Sequence, residues 1–221
     1  MLEMGTLETL AQLVDDRLAA GEAERGLVSR LVAGGAFEAW LSFEARLLAE
    51  ENRESLQLEG RLARWRGGDA ISRYYFANEY HKVDLFIGEL NSSEPHADIC
   101  IAAIEFKLIH NNKNWKKQAD GVWVDLFPSR EVKAALRPKL GRAALVGFVA
   151  KRHREGVNYP VVRSTFGDWE TEVREYLLGD DGWDGRYIDR VWSGRRFPVT
   201  DDWLDKSASS FFQLHLLIPR A

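Results

Sequence analysis

Two acidic residues and one lysine interrupt apolar, strand-like segments in the first half of the chain. Asp84 lies within residues 83–87, and Glu105 and Lys107 lie within residues 99–108. Burying an unpaired charge in such a segment is very costly, so we expect these side chains to be paired, bound to a metal ion or catalytic. Carboxylate oxygens are the ligands that Mg²⁺ prefers, and a bound cation can polarise a phosphoryl oxygen for hydrolysis. The three residues are therefore candidates for a metal-assisted hydrolytic site.

Alternation along the second segment places Glu105 and Lys107 on the same face of a strand. The opposite face receives the apolar or small residues Cys100, Ala102, Ile104, Phe106 and Leu108. A lysine two residues from a metal-binding acid can position the attacking water or neutralise charge in the transition state. The alternative interpretation is an ion pair between Glu105 and Lys107 at the end of a strand, with Asp84 exposed at a sheet edge.

A predicted hairpin would bring the two acids together. Residues 82–90 and 98–109 each predict a strand, and the turn-forming residues between them predict an antiparallel connection. Asp84 and Glu105 can then lie close to each other. A helix is predicted at residues 37–48, before the strands, and Glu44 lies in the middle of its apolar face.

The order of the predicted elements is typical of an α/β sandwich with a mixed sheet. The apolar segment 142–150 is typical of a strand buried on both faces, and it follows a helix, so a crossover is predicted. Helices are predicted over about the first 30 residues, with Gly21 as a stop, and over residues 37–48, 115–127 and 168–178. Further strands are predicted at 55–65, 73–79 and 211–218, and residues 180–206, rich in Gly, Asp and Trp, predict a loop or small lobe.

One acid on a first strand and an acid-X-lysine on the next resemble the PD-(D/E)XK nuclease superfamily, over roughly residues 36 to 150. The resemblance implies an α/β, restriction-endonuclease-like sandwich with a central mixed β-sheet flanked by helices. Its order is helix, three strands, helix, strand, with the motif on the second and third strands. Residues 1–35 would be an N-terminal helical extension, 36–165 the core, and 166–221 a C-terminal extension within one compact domain. Val83 stands where the family name has proline.

The resemblance also implies an activity, namely metal-dependent hydrolysis of DNA by an endonuclease, with a homodimer as one way to address both strands. Mg²⁺ would be the cofactor, and Mn²⁺ could substitute. The implied metal ligands are Asp84, Glu105, the backbone carbonyl of Phe106, and Glu44. Lys107 and a polar residue of the following helix, Gln118, would complete the catalytic set, and Lys113, Lys116 and Lys117 would contact phosphates.

Two other functions stay open on the sequence alone. The first is a catalytically inactive module that keeps the nuclease fold and binds nucleic acid or a protein partner. The second is a small-molecule-binding α/β protein in which the motif is accidental, which predicts no affinity for nucleic acid and no salt dependence.

Charge is unevenly distributed along a chain whose net charge is -4. Residues 107–154 hold twelve basic and three acidic side chains, a net charge of +9. If this segment forms one face, it is a candidate phosphate-contacting surface. The alternative is a solvated face neutralised by acidic neighbours. The C-terminal third combines tryptophans with Arg186, Arg190, Arg195 and Arg196, which suits an interface, a nucleic-acid surface or plain core packing.

Composition limits the remaining classes of protein. With 221 residues and 45% hydrophobic residues, the chain can form one domain with a substantial core. Its single cysteine, Cys100, excludes an internal disulfide and a cysteine-rich zinc site, and is expected to be a small buried hydrophobe. No apolar stretch is long enough for a membrane span, and the acidic N-terminus lacks the pattern of a signal peptide, so a cytoplasmic location is predicted.

Overall fold

A mixed six-stranded sheet with helices on both faces organises the computed structural model. The structure describes residues 4–28, 31, 37–62, 70–80, 82–90, 99–129, 136–150, 166–179, 186–199 and 211–220. The helices of this described part are α1 (Gly5–Arg25), α2 (Phe37–Glu51), α3 (Trp115–Leu126) and α4 (Phe166–Leu178). The strands are β1 (Arg61–Leu62), β2 (Ile71–Ser72), β3 (Tyr74–Tyr80), β4 (Val83–Glu89), β5 (Ile99–His110), β6 (Arg142–Ala150), β7 (Ile188–Pro198) and β8 (Phe211–Pro219).

The strands of the large sheet are ordered β3-β4-β5-β6-β8-β7, and β1 and β2 form a separate two-stranded sheet. β3, β4 and β5 follow one another as antiparallel neighbours, whereas β5 and β6 are parallel. A parallel pair requires a crossover, and α3 supplies it. The α/β class, the mixed sheet, the hairpin and the crossover are confirmed.

Two apolar layers hold the sheet between the helices. α1 and α2 pack on one face, where Val14, Phe37 and Phe212 are fully buried. α3 and α4 pack on the other face, around Trp123 and Trp169. β6 lies between both layers, and all but its first residue are buried, as the continuous apolar segment predicts. The first helix is thus part of the main core.

Two predicted boundaries were wrong near the N-terminus. α1 continues through Gly21 and ends before Gly26, which has φ of 60° and donates its N–H to the carbonyls of Glu22 and Gly21. Gly26 ends the helix because glycine adopts the left-handed conformation of a C-cap without steric cost. Of the strand predicted over residues 55–65, the described part contains only β1, because the chain turns before it and buries Leu56 and Leu58 there. Residues 63–65 lie outside the described residues.

β7 lies in the stretch that was predicted to be a loop or small lobe, so that prediction was wrong for residues 188–198. β7 is an edge strand that pairs only with β8, and two register shifts interrupt the pairing. Arginines and a glycine occupy much of the strand, so neither apolar alternation nor a continuous apolar run marks it. Residues 180–185 and 200–206 lie outside the described residues.

Cys100 occupies a different face of β5 from the predicted one. The pairing of β4 with β5 shifts register, because Ile87 opposes Ala102 whereas Gly88 opposes Cys100. The extra residue reverses the alternation, and Cys100 packs with Ala103 and Phe86. It is 7% exposed, and burial raises the pKa of its thiol to about 11, which agrees with the role of a small buried hydrophobe. No helix in the described part of the chain has the length and apolar character required to cross a bilayer.

Candidate active site at the open edge of β5

β5 extends beyond β4 and leaves part of its backbone without a described strand beside it. Leu85 pairs with Ile104, and β4 begins at Val83, whereas β5 continues to His110. We call residues 106–110 on this side the open edge of β5. Buried backbone N–H groups need acceptors, and here carboxylates supply them instead of a neighbouring strand.

Two carboxylates bind the N–H groups of the open edge. The Phe106 N–H donates to Asp84 Oδ2 at 2.8 Å, and the Leu108 N–H donates to Glu38 Oε1 at 2.9 Å. Asp84 comes from the start of β4, and Glu38 comes from the first turn of α2 on the other side of the gap. The N–H and C=O of one strand residue point to the same side of the strand, so the Phe106 carbonyl faces the same gap.

Hydrogen bonds fix the backbone of Asp84. The Ser42 hydroxyl donates to the Asp84 carbonyl at 2.7 Å, and Asn78 Nδ2 donates to the same oxygen at 3.0 Å. Asn78 also donates to the Ser42 carbonyl at 2.9 Å, which joins α2 and β3 to the start of β4. A surface pocket of about 420 Å³ opens at this point and is lined by Glu38, Ala39, Ser42, Phe43, Asn78, Glu79 and Asp84.

Lys107 approaches from the α3/α4 face of the sheet. Its Nζ lies 3.1 Å from Asp125 Oδ2 of α3. Burial by itself would lower the pKa of Lys107, but attraction to Asp125, a hydrogen bond from the ammonium to Asp125, and attraction to Asp84 and Glu38 raise it. Lys107 is therefore a cation at neutral pH, with three carboxylates in its electrostatic surroundings.

Glu105 is a buried acid of β5. It is 2% exposed, and it follows Ile104, which opposes Leu85 of β4. Arg142, at the start of β6, is within electrostatic reach: burial lowers the pKa of Arg142, and attraction to Glu105 opposes that shift. Glu105 and Lys107 thus lie on one face of β5, as the alternation predicts, and Lys107 interacts electrostatically with Asp84.

The oxygen donors at the open edge fit a Mg²⁺ ion. Mg²⁺ is usually bound through one or two carboxylates and keeps several waters. Asp84 is half-buried and Glu38 is exposed. In each, one carboxylate oxygen accepts a hydrogen bond from a β5 N–H, and the second oxygen could bind a cation. Within the described residues, no group of three or more His, Cys, Asp or Glu side chains is arranged to hold a metal ion. A cation at the open edge would thus have two carboxylates as side-chain ligands and water for the rest of its coordination.

Glu44 is not among the residues that meet at the open edge. It lies six residues after Glu38, which places it about 240° around the helix, and it forms an ion pair with Arg17 of α1 at 2.8 Å. Gln118, in contrast, lies at the far end of the open edge, where its Oε1 accepts the His110 N–H at 2.8 Å. The expected phosphate contacts are solvent-exposed side chains around the start of α3: Lys113, Lys116 and Lys117.

The basic segment 107–154 does not form a single face in the part that is described. Lys107 pairs with Asp125, whereas Lys139 pairs with Glu89 Oε2 at 2.9 Å at the opposite end of β4. Residues 130–135 and 151–154 of this segment lie outside the described residues. Acidic neighbours therefore neutralise Lys107 and Lys139, whereas Lys113, Lys116 and Lys117 are exposed. That the exposed lysines contact phosphates stays a prediction.

Sequence reasoning missed Glu38 and Asp125. Glu38 carried a weak signal, since an acid in the first turn of a helix is usually a favourable partner of the helix dipole. Asp125 carried a clearer one, because it lies beside the apolar stripe of α3 formed by Ala119, Val122 and Leu126. Helix α3 was predicted to follow the strand that carries Lys107. An acid beside the buried face of such a helix is positioned to pair with that lysine.

Comparison of the chain with protein-family models, with curated proteins and with solved structures found no match. The interpretation of the site therefore depends on its own residues and geometry.

Proposed function

We propose that the protein is a metal-dependent nuclease that hydrolyses phosphodiester bonds of DNA, with endonucleolytic cleavage favoured. The observation that carries the proposal is that Asp84 and Glu38 both bind N–H groups of the open edge of β5, while the Lys107 ammonium interacts electrostatically with the two carboxylates. Two hard-oxygen ligands and a fixed cation are what the hydrolysis of a phosphate diester requires. The pocket beside them gives solvent and substrate access to Asp84 and Glu38.

The order of elements supports a restriction-endonuclease-like fold. The chain runs through α2, then β3, β4 and β5, then α3 and β6. This is the helix, three strands, helix, strand order that the resemblance to PD-(D/E)XK nucleases implies. Asp84 lies on the second of the three strands, and Glu105 and Lys107 lie on the third. The resemblance also implies an acid on the helix before the strands. We assign that role to Glu38 instead of Glu44.

In the proposed mechanism, Asp84, Glu38 and the Phe106 carbonyl would hold the cation together with water. Glu105, which the resemblance implies as a ligand, is buried on the same strand and is not one of the two carboxylates that bind the open edge. Mg²⁺, for which Mn²⁺ can substitute, would supply Lewis-acid polarisation of a phosphoryl oxygen when bound. Lys107 stabilises the negative charge that develops on the phosphoryl group, because its ammonium remains protonated and is held in place by Asp125. The raised pKa of Lys107 argues against its acting as a general base near neutral pH.

Ser42 and Asn78 act as positioning residues in this proposal. Their hydrogen bonds to the Asp84 carbonyl fix the strand start from which the Asp84 carboxylate projects. A ligand whose backbone is held in this way loses little conformational freedom when the cation and substrate bind.

A catalytically inactive nuclease-fold module is the second candidate function. The Lys107–Asp125 pair favours it, because the pair satisfies the lysine without a substrate. Calorimetric titration separates the two candidates. An active nuclease should bind Mg²⁺ or Mn²⁺ in a way that depends on Asp84 and Glu38, whereas the inactive module should show no such binding.

Cleavage of supercoiled plasmid DNA tests the proposed function. The wild-type protein should cleave with Mg²⁺ or Mn²⁺ and not in EDTA, and Lys107→Ala and Asp84→Ala should each lower the rate by about 10²-fold or more. Lys116→Ala, at an exposed position of α3, is the matched lysine control. Undiminished cleavage by Lys107→Ala or Asp84→Ala would show that the site has been assigned to the wrong residues.

A further inference from the structure

Three arginines surround one buried glutamate between α4 and β7. Arg174 Nη2 donates to Glu170 Oε1 at 2.5 Å, and Arg196 Nη2 donates to Glu170 Oε1 at 2.8 Å and to Oε2 at 2.9 Å. Arg190 lies beside them on β7 and interacts electrostatically with both Arg174 and Glu170. We call Arg174, Arg190 and Arg196 the arginine cluster.

The outer surface of the arginine cluster is cationic. Glu170 is only 8% exposed, whereas the side chains of Arg174 and Arg196 are 41% and 51% exposed. Three guanidinium groups against one carboxylate leave a net charge of +2. Among the described residues, no carboxylate forms a salt bridge with Arg190, and burial followed by repulsion from Arg174 lowers its pKa. An anion from outside would therefore relieve repulsion between arginines that the carboxylates of the described residues only partly offset.

The guanidinium groups are held in defined orientations. Glu170 fixes Arg174 and Arg196, and Arg196 also donates from Nε to Gln213 Oε1 at 3.2 Å and lies over the Phe211 ring at 4.3 Å. An arginine that is already ordered loses less entropy when it binds an anion. Its planar fork matches the oxygens of a phosphate group better than a lysine does.

The arginine cluster is separate from the open edge of β5. Across the sheet, Lys107 pairs with Val146, Val146 with His215, and His215 with Ser193 of β7. Lys107 and Ser193 thus lie in one row, three strand spacings or about 14 Å apart. Arg190 and Arg196 flank Ser193 along β7. The cluster therefore cannot be part of the same catalytic pocket.

We propose that the arginine cluster binds phosphate groups of a nucleic-acid backbone at a distance from the hydrolytic site. The identity of the polyanion rests on the proposed function, but the binding does not require hydrolysis. Arg190 is exposed and forms no salt bridge with a described carboxylate, so its removal should leave the fold intact. Arg174 and Arg196 contribute through the N–H groups that Glu170 and Gln213 leave free.

Binding of a fluorescently labelled DNA duplex, measured by anisotropy in EDTA over a range of salt concentrations, tests the proposal. Each phosphate contact contributes about 0.9 to the slope of log affinity against log salt, so Arg190→Gln and Arg174→Gln should each make the slope shallower by about that amount. Arg220→Gln is the matched control, because Arg220 is an exposed arginine that pairs with Asp189 instead. It should leave the slope unchanged.

Equal slopes for Arg190→Gln, Arg174→Gln and Arg220→Gln would overturn the proposal. So would Arg190-dependent binding to vesicles that contain phosphatidylserine without Arg190-dependent binding to the duplex, because the surface would then recognise a membrane. The proposed function is tested separately. If Asp84→Ala retains cleavage while Arg190→Gln still makes the slope shallower, phosphate binding by the arginine cluster is supported and the catalytic assignment is contradicted. If the wild-type protein cleaves DNA and the three arginine variants have equal salt slopes, only the proposal for the arginine cluster is contradicted.

Discussion

Lys107 combines burial with three nearby carboxylates, and this combination decides which chemistry it can perform. Desolvation alone would favour the neutral amine, which could accept a proton. Asp125, Asp84 and Glu38 reverse that preference and raise the pKa of Lys107. The residue is therefore suited to stabilising negative charge, and the strength of this effect depends on its contact with Asp125.

Asp125→Asn should weaken activity and change its pH dependence. Without the carboxylate, burial dominates and the pKa of Lys107 falls, so the alkaline limb of the kcat/KM profile should move to lower pH. Loss of the positioning contact should also reduce cleavage at the pH optimum by about 10-fold. The measurement is the pH–rate profile of plasmid cleavage.

Asp120→Asn provides the control for Asp125→Asn, because Asp120 lies on the same helix but accepts a hydrogen bond from Tyr176. It should retain the wild-type profile. An unchanged alkaline limb in Asp125→Asn would mean that Lys107 does not act through its charge.

At the scale of elements, the strands that carry the site were predictable from the sequence and several of their surroundings were not. β5, β6 and β8 are long and apolar, and turn-forming residues separate β4 from β5, so local pattern and tertiary structure agree. Because side chains alternate along a strand, Glu105 and Lys107 were also assigned to one face correctly.

The features that were missed depend on contacts that local patterns do not encode. Glu38 and Glu44 lie on the same helix, and only the direction in which α1 and β5 pack decides which of them reaches the site. β7 is held by pairing with β8 although its own residues are polar. The register shift that moves Cys100 to another face is likewise a property of the strand pair.

Replacing two glycines near the site by alanine should change the stability of the protein in opposite directions. A Cβ at Gly147 of β6 would lie 2.5 Å from Phe212 Cε2 and 2.6 Å from Leu108 Cδ2, so Gly147→Ala should lower the free energy of unfolding by about 1–3 kcal/mol. At Gly121, inside α3, a Cβ would meet nothing within 4 Å. Gly121→Ala should raise the free energy of unfolding by up to about 1 kcal/mol.

Urea denaturation of both variants measures these changes as shifts of the transition midpoint at constant slope. A Gly147→Ala protein as stable as the wild type would contradict the close packing of Leu108 and Phe212 around β6.

At the scale of the whole molecule, a buried histidine makes stability depend on pH. His215 is 1% exposed on β8, accepts or donates a hydrogen bond at 2.9 Å to Ser193, and lies near three arginines. Burial, followed by repulsion from Arg190, Arg174 and Arg196, lowers its pKa from 6.5 to about 3. Between about pH 6.5 and pH 3, His215 is therefore protonated in the unfolded chain but neutral in the folded protein.

The contribution of neutral His215 to stability is fully present above about pH 6.5 and is lost as the pH falls toward 3. The free energy of unfolding should decline by up to about 1.4 kcal/mol per pH unit in that window because of this residue. His215→Gln removes the titration, so its stability should fall less steeply with acid. Chemical denaturation between about pH 6.5 and pH 4 measures the two slopes, and equal slopes would contradict the account.

The most direct test of the central claim compares Mg²⁺-dependent DNA cleavage by Glu38→Gln and Glu44→Gln. Both changes remove one negative charge from α2, but only Glu38 binds the open edge of β5, whereas Glu44 pairs with Arg17. Glu38→Gln should therefore cleave about 10- to 100-fold more slowly at limiting Mg²⁺, and Glu44→Gln should cleave at the wild-type rate. Loss of cleavage in Glu44→Gln with full activity in Glu38→Gln would contradict the central claim.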